Sequence, residues 1–180
     1  MNISPLRRSL LALSIAAATV TAHASPALDL NHDLSTAGYN SSDEFFNNAT
    51  FTGTSQNAGV DLNKASLSGA LVNQGNINLT TTDPSDIPAG ITMTMSAVAG
   101  DLVNQGTITV TGNGAMGLDL YQTNIAGDVN NSGTITVTGE NANGMMVTST
   151  QSHINNSGTI TARGVDSAGI ELENAIFNLP

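Results

Sequence analysis

The chain has no cysteine, only four Lys and Arg against fourteen Asp and Glu, and 3% aromatic residues in 180 positions. Each shortage closes an option. Without cysteine no disulfide framework holds the fold, so a ladder of backbone hydrogen bonds and an apolar core must do so. Without clustered cations there is no phosphate-binding patch, which excludes nucleic acid and anionic lipid as partners. No stretch reads as a convincing helix, because Thr, Asn, Gly and β-branched residues dominate. Long apolar runs are scarce too: Leu10 to Val20 is the one such run. Yet 39% of the residues are apolar and the mean hydropathy is +0.02, the balance of a folded chain.

What is present is repetition. Leu71-Val72-Asn73-Gln74-Gly75-Asn76-Ile77 returns as Leu102-Val103-Asn104-Gln105-Gly106-Thr107-Ile108, then as Val129-Asn130-Asn131-Ser132-Gly133-Thr134-Ile135, then as Ile154-Asn155-Asn156-Ser157-Gly158-Thr159-Ile160. A second phrase, Gly followed by an apolar-x-apolar pair, keeps step at Gly59, Gly90, Gly117, Gly144 and Gly169, at intervals of 31, 27, 27 and 25 residues. Periods in this range mark solenoids, propellers or arrays.

Each unit reads as three short strands with period-2 alternation, separated by Gly-, Asn- and Ser-rich turns. Leu118-Asp119-Leu120, Ile125-Ala126-Gly127-Asp128-Val129 and Thr134-Ile135-Thr136-Val137-Thr138 are one such set. A single unit has too few inward apolar groups to close a core. Stacking coils at roughly 4.8 Å makes the ladder and buries the rows. The rows are Ile77, Ile108, Ile135, Ile160; Leu79, Val110, Val137, Ala162; Leu71, Leu102, Val129, Ile154; and Leu62, Met93, Leu120, Val147, Leu172. The expected fold is all-β, a parallel β-helix of about four complete coils and a partial fifth. Four extra residues fall in Thr80–Pro88, whose two prolines make it a loop bulging from one turn.

Two further rows are not apolar. Asn73, Asn104, Asn131 and Asn156 share the inward parity of the second strand and are expected to form a structural amide ladder. Gly69, Gly100, Gly127 and Ser152 also point inward, where a missing side chain is expected to let opposing walls approach.

Three regions follow. Residues 1–24 read as a secretory signal peptide: Arg7 and Arg8, the apolar run, then Ala22-His23-Ala24. Residues 25–58 read as a cap with a degenerate coil near Thr50 to Gly53, and 59–180 as the repeats. After removal of the signal the charge is near −12 (2 − 14), since Lys64 and Arg163 are the only Lys or Arg left. Gly169-Ile170-Glu171-Leu172 opens a unit that the chain does not finish, so it is expected to be the front part of a longer one.

With export signal, N-x-G phrase and coil period together, the chain resembles the passenger domain of a Gram-negative autotransporter. Gly106-Thr107-Ile108-Thr109-Val110-Thr111-Gly112 and Gly133-Thr134-Ile135-Thr136-Val137-Thr138-Gly139 carry the likeness. The resemblance implies a right-handed, pectin-lyase-like β-helix, and export to the cell surface or beyond. Its membrane contact would come through a β-barrel domain absent from this sequence; without that domain the chain would stay in the periplasm. It implies a non-catalytic stalk or adhesin, with a host-cell or matrix surface, a glycan, or another copy as partner.

Pectin-lyase-like catalysis needs a carboxylate cluster with a cationic base, and Lys64 and Arg163 are far apart. Outward carboxylates recur at Asp61, Asp119 and Glu171, and at Asp101 and Asp128, which read as a solvated acidic face rather than a Ca²⁺ site. Gly53-Thr54-Ser55 lacks the continuation of a serine-hydrolase nucleophile, and His32 and His153 have no ligand spacing. No catalytic residue, cofactor or metal is therefore expected. The ranks Thr107/Thr109/Thr111, Thr134/Thr136/Thr138 and Thr159/Thr161 form an outward array like an ice-binding face, broken by Asn76 and Asn78. Two alternatives to the stalk thus stand: an exported polysaccharide-active enzyme, and an ice-binding surface.

Overall fold

The computed structural model describes residues 40–41, 45–47, 50–53, 58–148 and 152–174. The signal sequence, His32, most of the expected cap, Ser55 and the last six residues lie outside them. Among the described residues there is no helix, and so none long and apolar enough to cross a membrane.

The chain winds through coils stacked rung on rung. The first contains β1 (Asn40–Ser41), β2 (Phe45–Asn47) and β3 (Thr50–Gly53). The second contains β4 (Val60–Asn63), β5 (Ser66–Leu67), β6 (Leu71–Asn73) and β7 (Asn76–Thr80). The third contains β8 (Ala89–Thr94), β9 (Ala97–Val98), β10 (Leu102–Asn104) and β11 (Thr107–Thr111). The fourth contains β12 (Met116–Tyr121), β13 (Asn124–Ile125), β14 (Val129–Asn131) and β15 (Thr134–Thr138). Then come β16 (Asn143–Thr148), β17 (Ile154–Asn156) and β18 (Thr159–Arg163), and finally β19 (Ala168–Glu173).

Equivalent strands pair in parallel and make four sheets. Sheet A is β4-β8-β12-β16-β19, sheet B is β1-β5-β9-β13, sheet C is β2-β6-β10-β14-β17, and sheet D is β3-β7-β11-β15-β18. The apolar rows read from the sequence are the rows found: Ile77, Ile108, Ile135 and Ile160 are direct partners, as are Leu71, Leu102, Val129 and Ile154. Leu62, Met93, Leu120, Val147 and Leu172 also stack. The rows merge into one continuous buried core.

Two expectations about the coil needed correction. The segment Ile125–Val129 is not one strand. It bends between β13 and β14, so a full coil has four strands rather than three. The bend follows from Gly127, whose N–H donates to the Gly100 carbonyl, while Asp101 turns its carboxylate back to accept the Asp128 N–H at 2.9 Å. Nor do Gly69, Gly100 and Gly127 let opposite walls approach. A Cβ on Gly100 would meet the backbone of Gly69 and Ala70, the coil below. In that column Ser152 donates its hydroxyl to the Ile125 carbonyl. Opposing walls meet instead at the Gly59 column, where a Cβ on Gly59, Gly90 or Gly117 would strike Ile77, Ile108 or Ile135 of sheet D.

The turn from sheet A to sheet B carries Lys64, Met95 and Gln122 at φ near +50° (52°, 47° and 50°), and Asn174, at the matching place after β19, has 53°. Side chains seldom accept this conformation, which costs roughly 1–2 kcal/mol for a residue other than Gly or Asn. The next residue helps to hold it: the Ser96 hydroxyl donates to carbonyls of Leu62 and Thr94, and that of Thr123 to Met93 and Tyr121. The long loop runs over residues 81–88, as its prolines require, anchored by Thr81 N–H to Thr111 and Met116 N–H to the Pro88 carbonyl.

The stack predicts where size is forbidden. A Cβ on Gly133 would overlap the Gly106 carbonyl oxygen, and that atom is backbone. Gly133→Ala should therefore destabilise by about 1–3 kcal/mol, the usual cost of overpacking. A urea midpoint equal to that of the unaltered chain would show that the rungs separate freely.

Candidate functional site

The most regular polar feature is inside the helix. Asn47 Nδ2 donates to Asn73 Oδ1, Asn73 to Asn104, Asn104 to Asn131 and Asn131 to Asn156, each at 2.7 Å. The first four rungs are buried to 1% exposure or less. Each sits at the end of a sheet C strand, just before the bend into sheet D. There the backbone carbonyl of Asn73, Asn104 or Asn131 accepts two N–H groups of the next turn up: Gln105 and Gly106, Ser132 and Gly133, Ser157 and Gly158. The side chain fills the corner and pairs along the axis, so a polar atom that would be costly to bury alone has its partner. Asn47 was missed in the sequence. Its phrase, Phe46-Asn47-Asn48-Ala49-Thr50-Phe51, has Ala49 where the others have Gly. The register Asn47↔Asn73 could have been found from Asn and the following aromatic alone. A second ladder lies outside it, Gln74 Nε2 to Gln105 Oε1 at 2.7 Å.

The outward carboxylates do not converge. Asp61, Thr92, Asp119, Met146 and Glu171 form one outward column of sheet A, so the acids alternate with other residues. Asp61 and Asp119 are two rungs apart, about 10 Å. Asp119 Oδ2 accepts from the Thr92 hydroxyl at 3.0 Å. Its carboxyl is pushed above the usual range, first by burial and further by Asp61, against the lowering effect of the Thr92 bond. Glu171 is engaged by Asn143 Nδ2 at 2.6 Å. Asp101 and Asp128 do stack, but Asp101 serves as the backbone acceptor described above, and Asp128 faces His153 Nδ1 at 3.3 Å. Lys64 lies in the turn that ends β4 of sheet A, while Arg163 ends β18 on sheet D, so the two cations are on different sheets.

In the long loop, Asp86 is 7% exposed; its Oδ2 accepts from Thr81, and its Oδ1 has no partner. Asp83 is held below the usual carboxylate range by the hydroxyl and the N–H of Ser85. Among the described residues no three His, Cys, Asp or Glu side chains gather as metal ligands.

The threonine ranks form a flat outer face of sheet D. Thr107, Thr134 and Thr159 are paired rungs, as are Thr109, Thr136 and Thr161. The columns continue downward through Asn76 and Asn78 to Thr50 and Thr52.

A family model described as the BigA third pectate lyase-like domain matches residues 14–179. The chain belongs to this family. Neither the curated proteins nor the solved structures give a match. Membership and the stacked parallel sheets fit a pectate-lyase-like β-helix passenger domain of an autotransporter-type protein.

Two predictions follow from these columns. Asn131→Leu removes the acceptor of Asn104 and the donor to Asn156, and should destabilise by roughly 1–3 kcal/mol. The outward Thr136→Ser should stay within about 0.5 kcal/mol. Equal denaturation midpoints for the two would rule out a stabilising ladder. Asp119 gives the opposite sign. Because its folded pKa lies above the unfolded one, the folded state binds the extra proton, and stability falls as pH rises from the unfolded to the folded value. Asp119→Asn keeps an acceptor for Thr92 and should flatten that fall, with stability at neutral pH unchanged or raised. Urea midpoints measured across acid to neutral pH check this, and a lower neutral-pH midpoint for the variant would refute it.

Proposed function

We propose that this chain is a non-catalytic segment of an exported β-helical passenger, serving at the cell surface as a stalk and adhesive face. One observation carries the reading. What repeats from coil to coil is the inward set of apolar rows, Asn ladder and glycine columns, which is what a scaffold conserves along its own axis. The outward positions differ more between coils, and the recurrent ones are Thr and Asn on sheet D, suited to contact rather than proton transfer. Family membership in a pectate-lyase-like domain supports the architecture. The basic and apolar segment at residues 1–24 supports export.

A second reading has one observation behind it. Asp119, half-buried with a raised pKa and flanked by Asp61 across Thr92, is the arrangement from which an acid–base pair on a polysaccharide would be built.

The test displays the chain on a bacterium that lacks it and measures attachment to host cells and matrix. Attachment above the undecorated strain, unchanged by Asp119→Asn, is the expected outcome. Release of reducing or unsaturated ends from polysaccharides, abolished by Asp119→Asn, would replace the stalk by the enzyme. Thermal hysteresis, lost when the Thr ranks are altered, would replace it by an ice-binding face.

A further inference from the structure

Among the described residues, two side-chain atoms are buried without a hydrogen-bond partner, Asn63 Oδ1 and Asp86 Oδ1. Only the second belongs to an acid. Asp86 lies in the loop at residues 81–88, between β7 and β8, and a carboxylate oxygen buried alone is costly. The rest of the loop fixes the group in place. Thr81 donates its hydroxyl to Asp86 Oδ2 at 2.9 Å and accepts the Asp83 N–H at 3.1 Å. The Asp86 N–H donates to the Asp83 carbonyl at 3.2 Å, which closes the turn over Pro84 and Ser85. One oxygen of the carboxylate is thus oriented, and the other is left open.

No cationic side chain reaches it. The loop contains no Lys, Arg or His, and neither does the Gly112-Asn113-Gly114 turn packed against it. Lys64 follows β4, at the far end of sheet A from the loop. Arg163 stands in the column of Thr80, Thr111 and Thr138, three rungs or about 14 Å from Thr80.

We propose that the loop at residues 81–88 is a Ca²⁺ site, with Asp86 Oδ1 as its buried carboxylate ligand. The donors that the loop contains are all oxygen: carboxylates, hydroxyls, and backbone carbonyls that enter no strand. Such a set suits a hard cation. An irregular turn favours Ca²⁺, which accepts flexible coordination, over Mg²⁺, which demands an octahedron and gives up water reluctantly. Asp83 and Asp86 are the only carboxylates of the loop, so the affinity falls in the weak class of extracellular modules, about 10⁻⁴ to 10⁻³ M. The ion fastens the side of the loop that lies on the next coil. There a Cβ on Gly112 would meet Thr81 and Pro88, and one on Gly114 would touch Ile87. The site does not depend on the stalk reading, because it is measured as ion binding alone.

The test is titration calorimetry of the purified chain with CaCl₂, with urea midpoints measured alongside at constant ionic strength. One Ca²⁺ should bind per chain, and Ca²⁺ at about ten times its Kd should raise the folding constant roughly tenfold. MgCl₂ should bind several times more weakly. Asp86→Asn should weaken Ca²⁺ binding at least tenfold, whereas Glu140→Gln, in the exposed turn two coils on, should leave it unchanged. If Asp86→Asn does not fold, Thr81→Val takes its place, since it releases the carboxylate from its orienting hydroxyl and should weaken binding too. A chain that gives neither heat nor a midpoint shift with Ca²⁺ overturns the proposal, and water alone then serves Asp86. So does an equal response to Mg²⁺, or a loss shared alike by Asp86→Asn and Glu140→Gln, either of which is screening of an acidic surface.

Discussion

Everything in this structure depends on one distance, the spacing of a backbone rung from the rung below. That spacing is set by parallel N–H to C=O bonds, and it leaves no room for a Cβ at the glycine positions. Gly106 sits against the Gly75 carbonyl, Gly133 against Gly106 and Gly158 against Gly133. Once the rungs are fixed there, inward side chains must stack on their counterparts. Ile falls on Ile and Asn on Asn, and the core is a set of columns rather than a set of packed elements. No side-chain interaction could restore the register if one rung were displaced by a residue, because inward and outward faces would exchange.

How much of this was legible in the sequence follows from what repeats. The N-x-G phrase fixes register directly, since equivalent residues must be neighbours in a stacked coil. All four apolar rows therefore follow from the spacing of the phrase alone. The first coil was harder, because Ala49 interrupts the phrase and only Asn47 and Phe51 keep the beat. Bends inside a run were harder still. Ile125 to Val129 alternates as a strand would, but alternation does not report the hydrogen bond that Gly127 gives to Gly100. The turn from sheet A to sheet B was invisible. Its left-handed residues are Lys64, Met95 and Gln122, side chains with no preference for that conformation, and the bonds that compensate come from Ser96 and Thr123 in the next position.

The carboxylates show the same limit from another side. Sequence parity placed Asp61, Asp119 and Glu171 on one outward column, and they are there. Parity does not say what lies between them. Thr92 and Met146 occupy the intervening rungs, so Asp119 interacts first with a hydroxyl and only at a distance with another acid. A column read every second coil looks like a cluster in the sequence and is a spaced file in space.

The amide ladder also has a direction. Every Nδ2 points to the Oδ1 of the coil that follows in the chain, from Asn47 through to Asn156. A coil already formed thus displays a half-finished hydrogen bond in its corner, and the next coil can complete it only by setting its own Asn at the same height. A coil set out of register would leave an amide buried without a partner, so the ladder penalises a slip at every corner it passes through.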